Sequence, residues 1–238
     1  MAAIRLRSLT VTALAVLLTL SACGTEQQAT VAPAEETPAA AERAPQATSD
    51  VRPDAGAVEA GQYRNQFFDF SIAFPEAWAV ASQAITDDLQ ETNSEMLAKG
   101  DESIESALEA AEQNTYQLLM ISEQPIGTQA ATFNPNIVVM AEKISHLPEI
   151  TSGSEYLQNV SRLLQQTSLP YAPVGDPYEV TIGDRTFHRA DFVLSTPEVE
   201  VKQSYLAMID QGYALGFILS GTDESMGQLE EIADSISF

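Results

Sequence analysis

Cysteine occurs once in the 238 residues, at Cys23, so no disulfide can form within the chain and its fold must rest on an apolar core. Basic residues are scarce: 11 lysines and arginines face 34 acids, a net charge of -23. Such a balance repels phosphate backbones and anionic lipid, which excludes DNA, RNA and a polybasic membrane dock as expected partners. Histidine appears twice, at His146 and His188. There is no His-Glu-x-x-His, no Gly-x-Ser-x-Gly, no phosphate-binding glycine loop and no cysteine cluster, so zinc and nucleophilic catalysis lack their usual constellations. No catalytic residue, metal or cofactor is expected. Large apolar residues are nearly missing from residues 25–62, and the apolar stretch before them, residues 9–20, is too short to cross a bilayer comfortably.

What stands at the start is an address. Arg5 and Arg7 precede the apolar stretch, which closes on Leu20-Ser21-Ala22-Cys23-Gly24. This segment resembles the lipobox of bacterial lipoprotein signal peptides, in which a branched residue and two small ones precede a cysteine. Small residues at Ser21 and Ala22 leave room for lipid transfer and for the peptidase. The resemblance implies a diacylglyceryl thioether on Cys23, cleavage after residue 22 and an extracytoplasmic, lipid-anchored location in the cell membrane or outer membrane. Gly24, where a retention aspartate often stands, implies outer-membrane sorting in a source with two membranes. Loss of Arg5 and Arg7 makes the mature chain more acidic still.

Residues 23–62 read as the lipidated cysteine and a disordered tether rich in Ala, Pro and Glu, which buries too little to offset its ordering entropy. Folding is expected over 63–238. Phe68, Phe70, Ile72 and Phe74 alternate with smaller residues as a strand does, and Pro75 stops it. An acidic helical insertion covers about 84–116, divided at Gly100, with Asp101 as a cap and Ile104, Ala107, Leu108 and Ala111 on one face. Apolar runs at 118–122 and 137–144 read as interior strands. Ser152 and Glu155 have capping-box spacing ahead of a helix whose stripe is Tyr156, Leu157, Val160, Leu163 and Leu164. Four strands follow, at 178–182, 185–194, 199–209 and 213–220, turning at Gly183-Asp184 and Gln211-Gly212. A last helix carries Leu229, Ile232, Ala233 and Ile236. Hairpin-linked strands with flanking helices predict an α+β fold with a mainly antiparallel sheet.

Residues 67–78, an aromatic strand closed by Pro75-x-x-Trp78, resemble the opening of PsbP-like domains, and residues 212–220 with the acidic helix after them resemble their close. The resemblance spans about 63–238. It implies an α/β/α sandwich around a central antiparallel sheet. The stretch around Asn134-Pro135-Asn136 is similar to the uncharacterised bacterial envelope group rather than to the photosynthetic members.

His188 shares a strand face with Ala190, Phe192 and Leu194, which suits a packed or interface histidine, and Asp191 falls on the opposite face where it cannot orient the ring. His146 reads as a loop residue. The acid pairs Asp87-Asp88, Asp101-Glu102 and Glu230-Glu231 diverge on helices and match no calcium loop. Tyr205, Tyr213 and Phe217 read as sheet packing. The expected function is a non-catalytic interaction or assembly module that docks on another envelope protein through a sheet edge or the acidic insertion. The alternative is a small-ligand or divalent-cation binding lipoprotein with its pocket between sheet and helices.

Overall fold

The computed structural model describes residues 52–98, 102–128, 133–145, 147–167 and 169–238. Structure is present ahead of Tyr63, the expected start of the fold. Asp54 is the reason: its carboxylate accepts the N–H of Gly56 at 2.8 Å and of Phe67 at 2.9 Å, and Asn65 Nδ2 donates to its carbonyl at 2.9 Å. This strap leads into β1 (Ala57–Glu59), which pairs with β2 (Gln62–Asn65) across Ala60 and Gly61, at φ of 47° and 72°. Two positive φ values in succession suit the twist of a two-residue hairpin. Next comes β3 (Phe70–Ala73), completing a three-stranded antiparallel sheet. The strand expected from Phe68 starts two residues later, because Asn65 Oδ1 accepts the N–H of Phe68 at 3.0 Å and Asp69 turns at φ 52°. Phe68, Phe70, Ile72 and Phe74 are nonetheless all buried.

The Pro-x-x-Trp element is a turn in which Trp78 donates its backbone N–H to the Pro75 carbonyl at 2.9 Å. It delivers the short β4 (Ala79–Val80), followed by α1 (Gln83–Ala98) and α2 (Glu102–Asn114). Helix ends at Asn114 rather than Tyr116, since β5 (Thr115–Ser122) begins at once and pairs with β6 (Asn136–Lys143) from Thr115 onward. Asp101 and the side chains of Ile104, Ala107 and Ala111 lie outside the described part; Leu108 is buried.

After β6 comes α3 (Gly153–Leu164), and its start is written by side chains. Ser152 Oγ accepts the N–H of Glu155 at 3.2 Å, while Glu155 Oε2 accepts the N–H of Ser152 at 3.1 Å and of Thr151 at 2.8 Å. Two of the donors that a helix start leaves without partners, at Ser152 and Glu155, are thus satisfied, and the carboxylate also holds Thr151 just before them. All five stripe residues from Tyr156 to Leu164 are buried, each worth about 1.5–3 kcal/mol. Gly153 lets the helix lie directly on the sheet: a Cβ there would stand 2.2 Å from the carbonyl oxygen of Ala207.

The remaining strands are β7 (Tyr171–Pro173), β8 (Tyr178–Ile182), β9 (Arg185–Ser195), β10 (Glu200–Asp210) and β11 (Tyr213–Gly221), closed by α4 (Asp223–Asp234). Gly183 at φ 61° makes the β8–β9 turn, and Gln211 and Gly212, at φ 49° and 84°, make the β10–β11 turn. The central sheet runs β4-β5-β6-β11-β10-β9-β7, with β8 also on β9, and every pairing is antiparallel. One face, with Val138, Met140, Ala207 and Ile218, is covered by α3 and by Leu108 of α2. The other, with Val139, Leu215 and Phe217, is covered by Leu229, Ile232 and Ala233 of α4 together with the small sheet. Backbone bonds between Ser71 and Ser237 tie the small sheet to the C-terminus. This is an α+β fold, an α/β/α sandwich with helices on both faces of a large antiparallel sheet. Tyr205, Tyr213 and Phe217 are buried in it, as sheet packing requires. Among the described residues no helix is long and apolar enough to cross a membrane.

Candidate functional site

The rim of the central sheet at β5 is where backbone and shape both offer a surface. β4 covers only the far end of β5, pairing Ala79 with Ser122 and Val80 with Ile121, and Ala81 N–H reaches the Met120 carbonyl at 2.9 Å. Beyond that rung, no described backbone bond covers the outer edge over residues 115–119. The register with β6 also slips between Gln117 and Leu119, a bulge that turns both Leu118 and Leu119 into the core. Beside this edge lies a cavity of about 340 Å³, bounded by Arg52 and Ala55 of the strap, Gln83, Asp87 and Gln90 of α1, Glu112 of α2, and residues 115–118 of β5. A neighbouring one of about 140 Å³ shares Ala55, Gln83, Gln117 and Leu118 and is lined by Val58 and Val80, both more than 40% exposed. Over the Tyr116 ring, 5.1 Å from its centre, stands the Arg52 guanidinium. Within the cavity wall, Gln83 Nε2 donates to Asp87 Oδ1 at 2.8 Å.

Two polar constellations are buried elsewhere. On the α3 face, Tyr156 Oη donates to Glu142 Oε2 at 2.8 Å. Burial pushes the Glu142 carboxyl up to about 8, against the opposing pull of the tyrosine hydrogen bond. Burial and the carboxyl beside it hold Tyr156 well above the ordinary tyrosine value. Along the same face Tyr205 Oη donates to Gln203 Oε1 at 3.2 Å, and Gln203 Nε2 to Ser220 Oγ at 2.9 Å. On the α4 face, Arg189 grips both oxygens of Glu230, at 2.9 and 2.6 Å, and donates to Asp191 at 2.8 Å and Ser204 at 2.7 Å. Burial works against the guanidinium charge, but Glu230 and then Asp191 more than restore it, so its pKa is raised. Tyr178 Oη closes the network on Asp191 at 3.0 Å. These groups join α4 to the sheet and are used up in doing so.

Solved structures with a distantly similar fold were found. The cyanobacterial PsbP of Synechocystis sp. PCC 6803 matches with a TM-score of 0.44 and 11% identity over 79% of this chain and 98% of that one. LpqN, involved in cell envelope biogenesis of Mycobacterium tuberculosis, matches with a TM-score of 0.40 and 14% identity over 77% of this chain and 85% of its own. A Pseudomonas aeruginosa protein of unknown function matches at 0.34 and 10% over 50% and 74%. No family model and no curated protein matches the chain.

Several residues singled out by the sequence have a place in this geometry. His188 is half-buried on the α3 face, its Nδ1 3.3 Å from where a Cβ on Gly153 would stand, and Asp191 lies on the other face with Arg189. Of the acid pairs, Asp87 lines the β5 cavity, Asp88 and Glu231 are exposed, and Glu230 holds Arg189. No three histidine, cysteine or acidic side chains gather as metal ligands among the described residues. Leu20, Ser21, Ala22, Cys23, Gly24 and His146 lie outside the described part. Sequence reasoning missed Arg52, Tyr116, Glu142 and Arg189. Glu142 left a visible trace, an acid inside an otherwise apolar run; Arg52 left none, because its neighbours have few large apolar residues.

Proposed function

We propose that this chain is a non-catalytic interaction module, tethered to the extracytoplasmic side of a membrane by lipid on Cys23, that docks an extended segment of another envelope protein along β5. The observation that carries this reading is the outer edge of residues 115–119, which no backbone bond covers among the described residues, beside a polar cavity walled by Arg52, Pro53 and Ala55. An added strand gains main-chain hydrogen bonds from such an edge and takes specificity from the pockets beside it. Val58 and Val80 offer apolar surface at the same rim.

The test is site-directed photocrosslinking in cells. A photoreactive residue at Gln117 should capture one defined partner, and the same residue at the exposed Glu198, on the far side of the sheet, should not. Equal capture from both positions, or none from Gln117, refutes edge docking. Cys23→Ala, which removes the lipid attachment, should release the protein from the membrane fraction and abolish capture. Metabolic labelling with a fatty-acid analogue reads the lipid itself.

A further inference from the structure

The cavity beside β5 already holds a cation, and that cation belongs to the chain itself. Arg52 is exposed and is the first described residue, while the segment after it is fastened: Pro53 is buried and Asp54 is bonded to Gly56 and Phe67. The Arg52 side chain instead rests on the face of Tyr116, 5.1 Å from the ring centre, with Asp87 and Glu112 in the same cavity wall. Tyr116 is itself steadied from behind by Tyr213, the two rings meeting edge to face at 6.1 Å. An aromatic face with carboxylates around it suits a guanidinium or ammonium group, and an exposed contact of this kind is weak enough to be exchanged.

We propose that the cavity is the seat for an arginine or lysine side chain of the docking segment, and that Arg52 occupies this seat in cis until the partner's cation displaces it. This inference rests on the edge-docking reading above and names the chemistry of its partner. Charge selects the occupant. With 34 acids against 11 basic residues, the chain repels acidic segments, and Asp87 and Glu112 sharpen that preference at the cavity. Geometry supplies the delivery. A strand laid along residues 115–119 sends every second side chain to the same face, about 7 Å apart, so one of them can reach Tyr116 while the main chain is held at the edge.

The experiment uses the full chain in detergent and two synthetic peptides of alternating threonine and valine, one with a central arginine and one with a central citrulline, which keeps the shape without the charge. Binding is read by fluorescence anisotropy. Arg52→Ala should tighten the arginine peptide about two- to fivefold, the weight of one exposed cation–aromatic contact, and leave the citrulline peptide unchanged. Asp87→Asn in the Arg52→Ala background should weaken the arginine peptide alone. Unchanged affinity in Arg52→Ala, an equal gain for both peptides, or full competition by arginine amide each overturn the proposal. Capture through Gln117 in cells combined with peptide affinities indifferent to Arg52 would remove this inference and leave edge docking standing.

Discussion

Replacing Glu142 with glutamine should stabilise the domain at neutral pH and change how its stability follows pH. The carboxyl is buried, and its pKa is raised from 4.5 to about 8. Below 4.5 the folded and unfolded chains both carry the proton, so the group costs nothing. Between 4.5 and 8 the unfolded chain has released the proton and folding must recapture it, so stability falls by about 1.4 kcal/mol per pH unit. Above 8 both forms are ionised and the loss levels off, at a total of about 5 kcal/mol. Glutamine keeps the shape and an oxygen that can accept from Tyr156, and it never ionises. E142Q should therefore exceed the parent by about 3 kcal/mol at pH 7, with the gap closing as pH falls toward 5. Urea denaturation at a series of pH values measures this directly, followed through the fluorescence of Trp78, which is buried and the single tryptophan. Taking the difference between the two chains cancels every other titrating group. A gap that stays constant from pH 5 to 9, or widens toward acid, would refute the account of Glu142 as a carboxyl held neutral by burial.

Two further predictions concern how the outer layers are fixed to the sheet. Gly153→Ala places a methyl group 2.2 Å from the Ala207 carbonyl, a backbone atom that cannot move aside, so α3 must shift at a cost of about 1–3 kcal/mol; Ser152→Ala, which loses only a cap, should cost about 1 kcal/mol in the same urea denaturation. Arg189→Ala should destabilise by about 2 kcal/mol, a figure already reduced for the partial exposure of the group, and Arg189→Lys should recover only part, because one ammonium cannot grip both oxygens of Glu230. A lysine variant as stable as the parent would show that the paired geometry contributes nothing.

Where structure was decided by neighbours in the chain, the sequence was readable. The start of α3 follows from Ser152 and Glu155 three residues apart, and the hairpins from Gly183 and from Gln211-Gly212. Strand alternation alone put Asp191 on the face opposite His188. Where the decision lay with distant residues, it was hidden. The small sheet depends on Asp54 reaching Phe67 and on Asn65 reaching back to Asp54, and nothing in the composition of residues 52–59 announces a strand. Tyr116 belongs to β5 because β6 is there to pair with it; by itself it extends a helical pattern. The cavity needed the strap, two helices and a strand edge to meet, and Glu142 needed a tyrosine brought to it by a helix that begins after the next loop.

The two rims of the central sheet differ, and the difference limits how copies crowded on one surface can associate. On the far side, β9 is covered in two pieces, by the three residues of β7, ending in Pro173, and by the five of β8, with Val174 bonding Asp191 between them. Short, interrupted strands with a proline are poor templates for another chain. The β5 rim is the better template. Two copies joined there, each through its own β5, would have spent the rim that growth requires, and the assembly would end as a closed pair. Polymerisation through this sheet would need both rims to serve as templates, and β7 with β8 withhold one of them.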